Sequence, residues 1–365
     1  MGTNWKPCVR NISRFILLTC AVILLAGCAT YNRHGLDLVQ TRDIEKHFGL
    51  QSYSLSPAAE DKILALDPLH VTAKDIREVL SNAPAPRIIN IHGGMNPVQE
   101  RMISFSHFLV GMGYPEASIR NPGDGTWTFS CYESSDMIAG MIAWYHEKEG
   151  MRPMIVGHSQ GGIQTVKVLD KLAYSKRLAV WSPLTWTKED RYEITDPLTG
   201  KKRPVVGLQL PYVTSIGAGG LTRFLPNQWG MNFKLRTIPD TAEEFTGFYK
   251  GRDLLGGDFW GYGSTNLFRA SGTALVRNVQ LPPEWKHGAV PDTEHLLRSQ
   301  AIMDRINHYQ PSPEALVVVP SNEDTLNPET MYYPWAEDVW YSIKKHWVLE
   351  LQRLICARRS LPLTD

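Results

Sequence analysis

The sequence predicts an α/β fold with a mostly parallel central sheet flanked by helices. Strand-like apolar runs alternate with stretches of helical periodicity between residues 85 and 310, as they do when helices connect parallel strands. One run, residues 154–156, leads into Gly-His-Ser-Gln-Gly at 157–161, and a helical pattern begins directly after it. An earlier run, residues 87–91, leads into His92-Gly93-Gly94. The length suits one large α/β domain with insertions, or two domains.

The first 27 residues predict an exported chain. They hold three basic and no acidic residues, and their apolar run at 15–26 is too short to span a membrane. Leu25-Ala26-Gly27-Cys28 resembles the lipobox of bacterial lipoproteins. The resemblance implies cleavage before Cys28 and lipid on its sulfur and amino group, which would anchor the protein in the cell envelope. Ala29 then favours the outer membrane, with the protein facing the periplasm.

Charge and composition exclude some classes of partner. Removing residues 1–27 changes the net charge from +1 to −2, because they hold three of the 38 basic residues and none of the 37 acidic ones. A near-neutral chain gives no electrostatic basis for binding nucleic acid. No C-x-x-C pair or histidine cluster has the spacing of a metal site. The sequence leaves open whether Cys131 and Cys356 pair.

The first glycine-rich loop follows a predicted strand. Residues 28–84 are predicted to be a linker and a helical lead-in, ended by Pro84-Ala85-Pro86. The β-branched run at 87–91 then predicts a strand. The backbone N–H of Gly94 or Met95, directly after it, is a candidate oxyanion-hole donor, because glycines let the backbone approach a substrate. Two helical patterns, around residues 102–112 and 138–145, precede the next strand.

The motif at 157–161 predicts a sharp strand-to-helix turn with a serine at its apex. Side chains at Gly157 and Gly161 would clash with the neighbouring strand and helix. The turn would push Ser159 into a strained, exposed position, which makes it the candidate nucleophile. The N–H of Gln160 is the second candidate oxyanion donor. A serine hydroxyl is a weak nucleophile until a base takes its proton, so the chain must also supply that base.

These two motifs together resemble those of the α/β-hydrolases, and of the lipases and esterases among them. The matching residues are His92-Gly93-Gly94 and residues 157–162, and the resemblance covers roughly residues 85–310. It implies a mostly parallel sheet, a catalytic serine, acid and histidine in that chain order, and no cofactor. It does not identify the ester, because one fold carries many activities.

The implied histidine should lie on the loop after the last core strand. Residues 274–281 are predicted to be that strand, followed by a loop at 282–294. His295 lies at the end of this loop, where a helix starts, and is the first candidate for the base. His287, within the loop, is the second. His308, at the far end of the helix, is predicted to be structural.

The implied carboxylate orients the histidine and stabilises its charged form. The apolar stretch at 244–250, followed by Gly251-Arg252-Asp253, predicts a strand, a turn and an acid, so Asp253 is the first candidate. Asp258 is the alternative on the same loop. Asp324 follows a strand-like run at 316–319, but no later strand and loop would carry a histidine after it.

Two further segments surround the predicted site. Residues 181–243 are too long for one connection in a compact sheet and predict a cap or lid insertion. Within it, Phe224 and Trp229 are candidate pocket-wall residues for substrate binding, because large apolar residues cluster there with glycine and proline. Residues 311–365 predict a C-terminal strand and an amphipathic helix, at 334–359, that packs on the domain.

The expected activity is that of a lipid-anchored serine hydrolase of carboxylic esters. Ser159 would form an acyl-enzyme, His295 would transfer protons, and Asp253 would orient His295. The expected partners are a small-molecule or lipid ester substrate and a membrane, reached through the anchor at Cys28. An acyltransferase using the same triad is one alternative. A catalytically silent hydrolase-like lipoprotein that binds an envelope component is the alternative from another class.

Overall fold

The computed structural model describes residues 55–219, 234–256, 258 and 267–360. The predicted signal peptide, the predicted lipidation site Cys28, and the candidate pocket residues Phe224 and Trp229 lie outside the described residues. In the described ranges, no helix combines the length and apolar character needed to cross a membrane.

Seven strands form the central sheet. In chain order they are β1 (Ile88–His92), β2 (Phe129–Ser130), β3 (Met154–His158), β4 (Leu210–Ile216), β5 (Ala242–Lys250), β6 (Leu275–Leu281) and β7 (Leu316–Val318). Across the sheet they lie in the order β7-β6-β5-β4-β3-β1-β2, and every neighbouring pair is parallel. The prediction of an α/β fold with a mostly parallel sheet is confirmed.

Eight α-helices lie in the described part of the chain. They are α1 (Pro57–Leu64), α2 (Ala73–Glu78), α3 (Asn96–Gly111), α4 (Ser135–Glu149), α5 (Gln160–Tyr174), α6 (Gln300–His308), α7 (Glu323–Leu326) and α8 (Tyr333–Arg359). Single 3₁₀ turns at Pro68–His70, Leu80–Asn82, Glu116–Ser118, His287–Ala289 and Glu294–Arg298 connect some of these elements.

The sheet separates two hydrophobic cores, one on each face. In β1, Ile88 belongs to one core and Ile89 to the other, and Met154 and Ile155 alternate in the same way in β3. Apolar residues of α3, α6 and α8 complete the first core, and those of α4 and α5 complete the second. Burial on both faces is why the central strands have nearly continuous apolar sequences rather than alternating ones.

The expectation that residues 181–243 form a cap is wrong for one segment. Leu210–Ile216 is strand β4, at the centre of the sheet. All of its residues are buried. A strand buried on both faces lacks the polar alternation that would distinguish it from other apolar segments. Short strand pairs precede and follow it in the chain. They are Trp181–Ser182 with Thr187–Lys188, Glu193–Thr195 with Lys202–Pro204, and Thr237–Ile238 with Arg269–Ala270.

The C-terminal part of the chain packs against the sheet and the lead-in. β7 pairs with β6 at the edge of the sheet. In α8, Trp335, Trp340 and Trp347 are fully buried in the first core. Lys344 Nζ donates to the Val71 carbonyl at 2.8 Å, which ties α8 to the lead-in. The two ends of the described chain therefore hold one another against the same face of the sheet.

The strand order creates a crevice at one edge of the sheet. From β1 the chain first builds β2 on one side and then crosses to build β3 on the other side. In open parallel sheets, ligands bind outside the carboxyl ends of strands where the direction of winding reverses in this way. Gly93 follows β1 and Ser159 follows β3, so both glycine-rich motifs lie at this crevice.

Candidate active site

Ser159 lies at the apex of the turn between β3 and α5. Its backbone has φ 57° and ψ −122°, a conformation that residues other than glycine rarely adopt. The Ser159 N–H donates to the Ile216 carbonyl at 2.8 Å, and the Ser159 carbonyl accepts from the N–H groups of Gly162 and Gly219 at 3.0 Å each. These bonds hold a strained residue in place, and its side chain is partly exposed.

Two glycines make the turn sterically possible. A Cβ at Gly157 would lie 2.2 Å from Thr165 Oγ1, and a Cβ at Gly161 would lie 2.2 Å from the Ile91 carbonyl oxygen. Contacts this short cannot be tolerated, so any larger residue would push α5 away from the sheet. The clashes expected from the motif are present in the described geometry.

His287 joins the serine to a carboxylate. Its Nε2 lies 2.8 Å from Ser159 Oγ, and its Nδ1 lies 2.7 Å from Asp253 Oδ2. An ionised carboxylate only accepts, so Nδ1 carries the proton and Nε2 is free to accept from the serine hydroxyl. Both His287 and Asp253 are buried. The three side chains thus form a continuous hydrogen-bonded path from the hydroxyl to the carboxylate.

Asp253 is held ionised in a buried turn after β5. Burial raises the pKa of its carboxyl, but the hydrogen bond and the charge of His287, together with the Gly256 N–H, lower it more strongly. The net pKa is therefore below the usual aspartate value. A carboxylate in this state can stabilise a positive charge that forms on the neighbouring imidazole.

Asp258, the alternative acid, supports the turn rather than contacting His287. Its Oδ2 accepts from the Arg252 N–H at 2.9 Å, and its own N–H donates to the Asp253 carbonyl at 2.8 Å. Arg252 has φ 58°, so these bonds stabilise a left-handed residue directly before Asp253. Asp324 is exposed and lies 3.4 Å from Arg305, away from the site.

His295 was expected as the partner of Ser159, and the structure corrects this expectation in favour of His287. The loop after β6 returns to the sheet edge early, at the 3₁₀ turn His287–Ala289. His295 comes later, in a second 3₁₀ turn that packs against α3. There it lines a surface groove of about 370 Å³ with Ser104 and Asp292. Of these two loop histidines, only His287 lies close enough to β3 for its imidazole to reach Ser159.

The loop after β1 lies directly against Ser159, the candidate nucleophile. A Cβ at Gly93 would be 2.8 Å from Ser159 Cβ, and a Cβ at Gly94 would be 2.8 Å from Gln160 Oε1. The absence of both Cβ atoms is what permits this approach. The His92 Nδ1–H donates to the Gly93 carbonyl at 2.6 Å, which restrains the loop.

Two helices begin at the site. α5 begins at Gln160, and α3 begins directly after Met95. The first N–H groups of a helix have no partner within it and carry partial positive charge, so these termini favour negative charge nearby. The candidate donors Gln160, Gly94 and Met95 therefore lie at the carboxyl edge of the sheet, where a negative charge beside Ser159 would be favoured.

Exposed apolar side chains lie on the loops that carry these polar groups or next to them. Met95 and Tyr132 lie beside Gly94, and Leu254 and Leu255 follow Asp253. The Tyr132 hydroxyl donates to the Gly94 carbonyl at 3.4 Å, which attaches this ring to the loop after β1. A few convergent polar groups with apolar neighbours are typical of sites that bind small organic molecules.

Neither a metal cluster nor a disulfide is seen in the part of the chain that the structure describes. No group of three or more His, Cys, Asp or Glu side chains in the described ranges is arranged to hold a metal ion. Cys131 and Cys356 are both buried and free. Burial raises the pKa of the Cys131 thiol to about 12, so it stays protonated and unreactive near neutral pH.

A scan against protein-family models, a search of curated proteins and a search of solved structures each found no match to this chain.

Proposed function

We propose that this protein is a serine hydrolase with an α/β-hydrolase fold that cleaves carboxylic esters through an acyl-enzyme on Ser159. The observation that carries the proposal is the path from Ser159 Oγ to His287 Nε2 at 2.8 Å and from His287 Nδ1 to Asp253 Oδ2 at 2.7 Å. Nucleophile, base and orienting acid within hydrogen-bond reach of one another are the signature of an activated serine. They occur in the chain order, serine then acid then histidine, that the resemblance to the α/β-hydrolases implies.

The first half of the reaction forms the acyl-enzyme. Ser159 Oγ attacks the ester carbonyl carbon as His287 Nε2 takes its proton. The ionised Asp253 stabilises the imidazolium that results. When the tetrahedral intermediate collapses, His287 gives this proton to the leaving alcohol, and the acyl group remains on Ser159.

The second half returns the enzyme to its starting state. A water molecule gives a proton to His287 Nε2 and attacks the acyl carbon. Collapse of the second tetrahedral intermediate releases the carboxylic acid and returns the proton from His287 to Ser159 Oγ. The backbone geometry of the turn is already formed, so no rearrangement of Ser159 is needed before either attack.

The oxyanion is stabilised by backbone groups in both halves. The N–H of Gln160 and one N–H from Gly94 or Met95 are the proposed donors. Removing one such donor costs roughly 3 kcal/mol of transition-state stabilisation in related chemistry. The N-termini of α3 and α5 add favourable partial charge at the same place. Exposed Tyr132 and Leu254 near the site favour an ester with an apolar acyl or alcohol group.

The test is labelling by a fluorophosphonate probe together with turnover of p-nitrophenyl butyrate. Wild type should be labelled, and Ser159→Ala should lose both labelling and turnover. We expect His287→Ala to lower kcat by more than about 10³-fold, because removing one member of a triad disables the whole unit.

His295→Ala is the matched control, since it removes an imidazole from the same loop outside the hydrogen-bonded path. It should retain turnover within a few-fold of wild type. An unlabelled wild-type protein would argue for a silent hydrolase-like lipoprotein instead. Loss of activity in His295→Ala with full activity in His287→Ala would overturn the assignment of the base.

A further inference from the structure

A second histidine, His158, contacts the backbone of the proposed base. His158 is the last residue of β3, and its side chain is fully buried. Its Nε2 lies 2.8 Å from the backbone carbonyl oxygen of His287. A carbonyl can only accept, so the His158 Nε2–H is the donor. The two imidazole rings have their centroids 5.4 Å apart.

The surroundings of the His158 ring determine its charge and which of its nitrogens carries the proton. Its Nδ1 is buried and has no hydrogen-bond partner in the described part of the structure, so a proton there would be unsatisfied. Burial, followed by the charge of His287, lowers the pKa of His158 to about 3, although the His287 carbonyl and Asp253 act in the opposite direction. His92 also lowers it. His158 therefore stays neutral, with its one proton on Nε2, while His287 gains and loses a proton.

The bond connects the strand that presents the nucleophile to the loop that presents the base. His158 directly precedes Ser159, whereas His287 lies on a 3₁₀ turn in the loop after β6. Loops are more mobile than the strands that they follow. On its other side, the His287 ring lies against Gly217, where a Cβ would be 3.0 Å from His287 Cε1. The carbonyl of His287 is thus held by β3 while its ring is held by Gly217 and Asp253.

We propose that His158 is a positioning residue that keeps the backbone of His287 at the distance needed for its Nε2 to reach Ser159 Oγ. This inference rests on the proposed function of the Ser159, His287 and Asp253 path. It predicts that His158 acts on the chemical step, with little effect on substrate binding, because its side chain is buried beneath the reacting groups.

The experiment compares His158→Leu, which removes the donor, with His158→Gln, whose amide nitrogen can still donate to the His287 carbonyl. The kcat of each variant is expressed per mole of protein that circular dichroism shows to be folded, because labelling by the probe would itself slow if Ser159 became less reactive. We expect His158→Leu to lower kcat by roughly 10- to 100-fold with KM changed less than about threefold, since small displacements of a catalytic group have effects of this size. His158→Gln should recover most of the loss.

His146→Gln is the matched control. His146 is also buried, but it lies on α4, where its Nε2 is 4.0 Å from Asp196 Oδ2 and it takes no part in the path from Ser159 to Asp253. It should lower the melting temperature without changing kcat per mole of folded protein. If His158→Leu likewise loses only stability, or if His158→Gln is as slow as His158→Leu, the positioning role is wrong. If wild type itself is not labelled, the proposed function fails first, and the two failures are therefore distinguishable.

Discussion

Replacing Asp253 with asparagine should nearly abolish turnover while leaving the fold intact. The Asp253 carboxylate accepts from His287 Nδ1–H at 2.7 Å and from the Gly256 N–H. An asparagine oxygen that keeps the bond to Gly256 turns its NH₂ group toward His287. His287 Nδ1 must then accept, and its proton moves to Nε2, which can no longer take a proton from Ser159.

The magnitude follows from this change of tautomer. The equivalent substitution in serine proteases lowers kcat by about 10⁴-fold with the geometry intact. That factor corresponds to about 5 kcal/mol in the activation barrier. Stability should change much less, because asparagine has nearly the same shape and keeps one of the acceptor bonds.

Asp258→Asn is the matched control on the same loop. The Asp258 Oδ2 accepts from the Arg252 N–H at 2.9 Å, and an asparagine oxygen can accept this bond in its place. We expect kcat within about tenfold of wild type and a loss of about 1 kcal/mol in the free energy of unfolding, the usual size for one hydrogen bond.

The assay is kcat for p-nitrophenyl butyrate per mole of folded protein, with urea unfolding of each variant. The pKa of Asp253 is lowered, so its carboxylate is ionised throughout the neutral range and one pH near neutrality suffices. Full activity in Asp253→Asn, or a loss in Asp258→Asn as large as that in Asp253→Asn, would refute the tautomer argument.

Two further predictions concern regions away from the triad. Burial raises the pKa of Glu337 to about 8, despite Arg305 at 3.9 Å, so its carboxyl binds a proton more tightly in the folded state than in the unfolded state. The resulting stability, roughly 3 to 5 kcal/mol, should be lost as the pH rises from about 4.5 through 8 in wild type, and urea unfolding of Glu337→Gln should lack this loss. Cys28→Ser should not incorporate labelled palmitate, whereas wild type should, if the lipobox directs lipidation; equal labelling of both proteins would exclude the anchor.

The sequence alone predicts the features that local backbone geometry requires, such as glycines in tight turns. Gly157 and Gly161 are needed because a Cβ would overlap atoms of the same turn or the next strand, and this constraint is readable from the motif itself. The same holds for the glycines after β1 and for the turn that places Asp253 after β5. The alternation of apolar runs and helical patterns likewise predicts the parallel sheet, since each pattern reflects the burial of its own segment.

The remaining features of the fold and the site depend on distances between segments that are far apart in the chain. His287 and His295 lie on one predicted loop, and only the path of that loop across the sheet edge brings His287 to Ser159. The sequence pattern of β4 does not distinguish it from other apolar segments. Its place beside β3 depends on which neighbouring elements bury it. The bond from His158 to the His287 carbonyl joins residues whose proximity no local pattern encodes. Tertiary packing decides such contacts because one apolar stretch or one loop histidine satisfies local preferences equally well in several places.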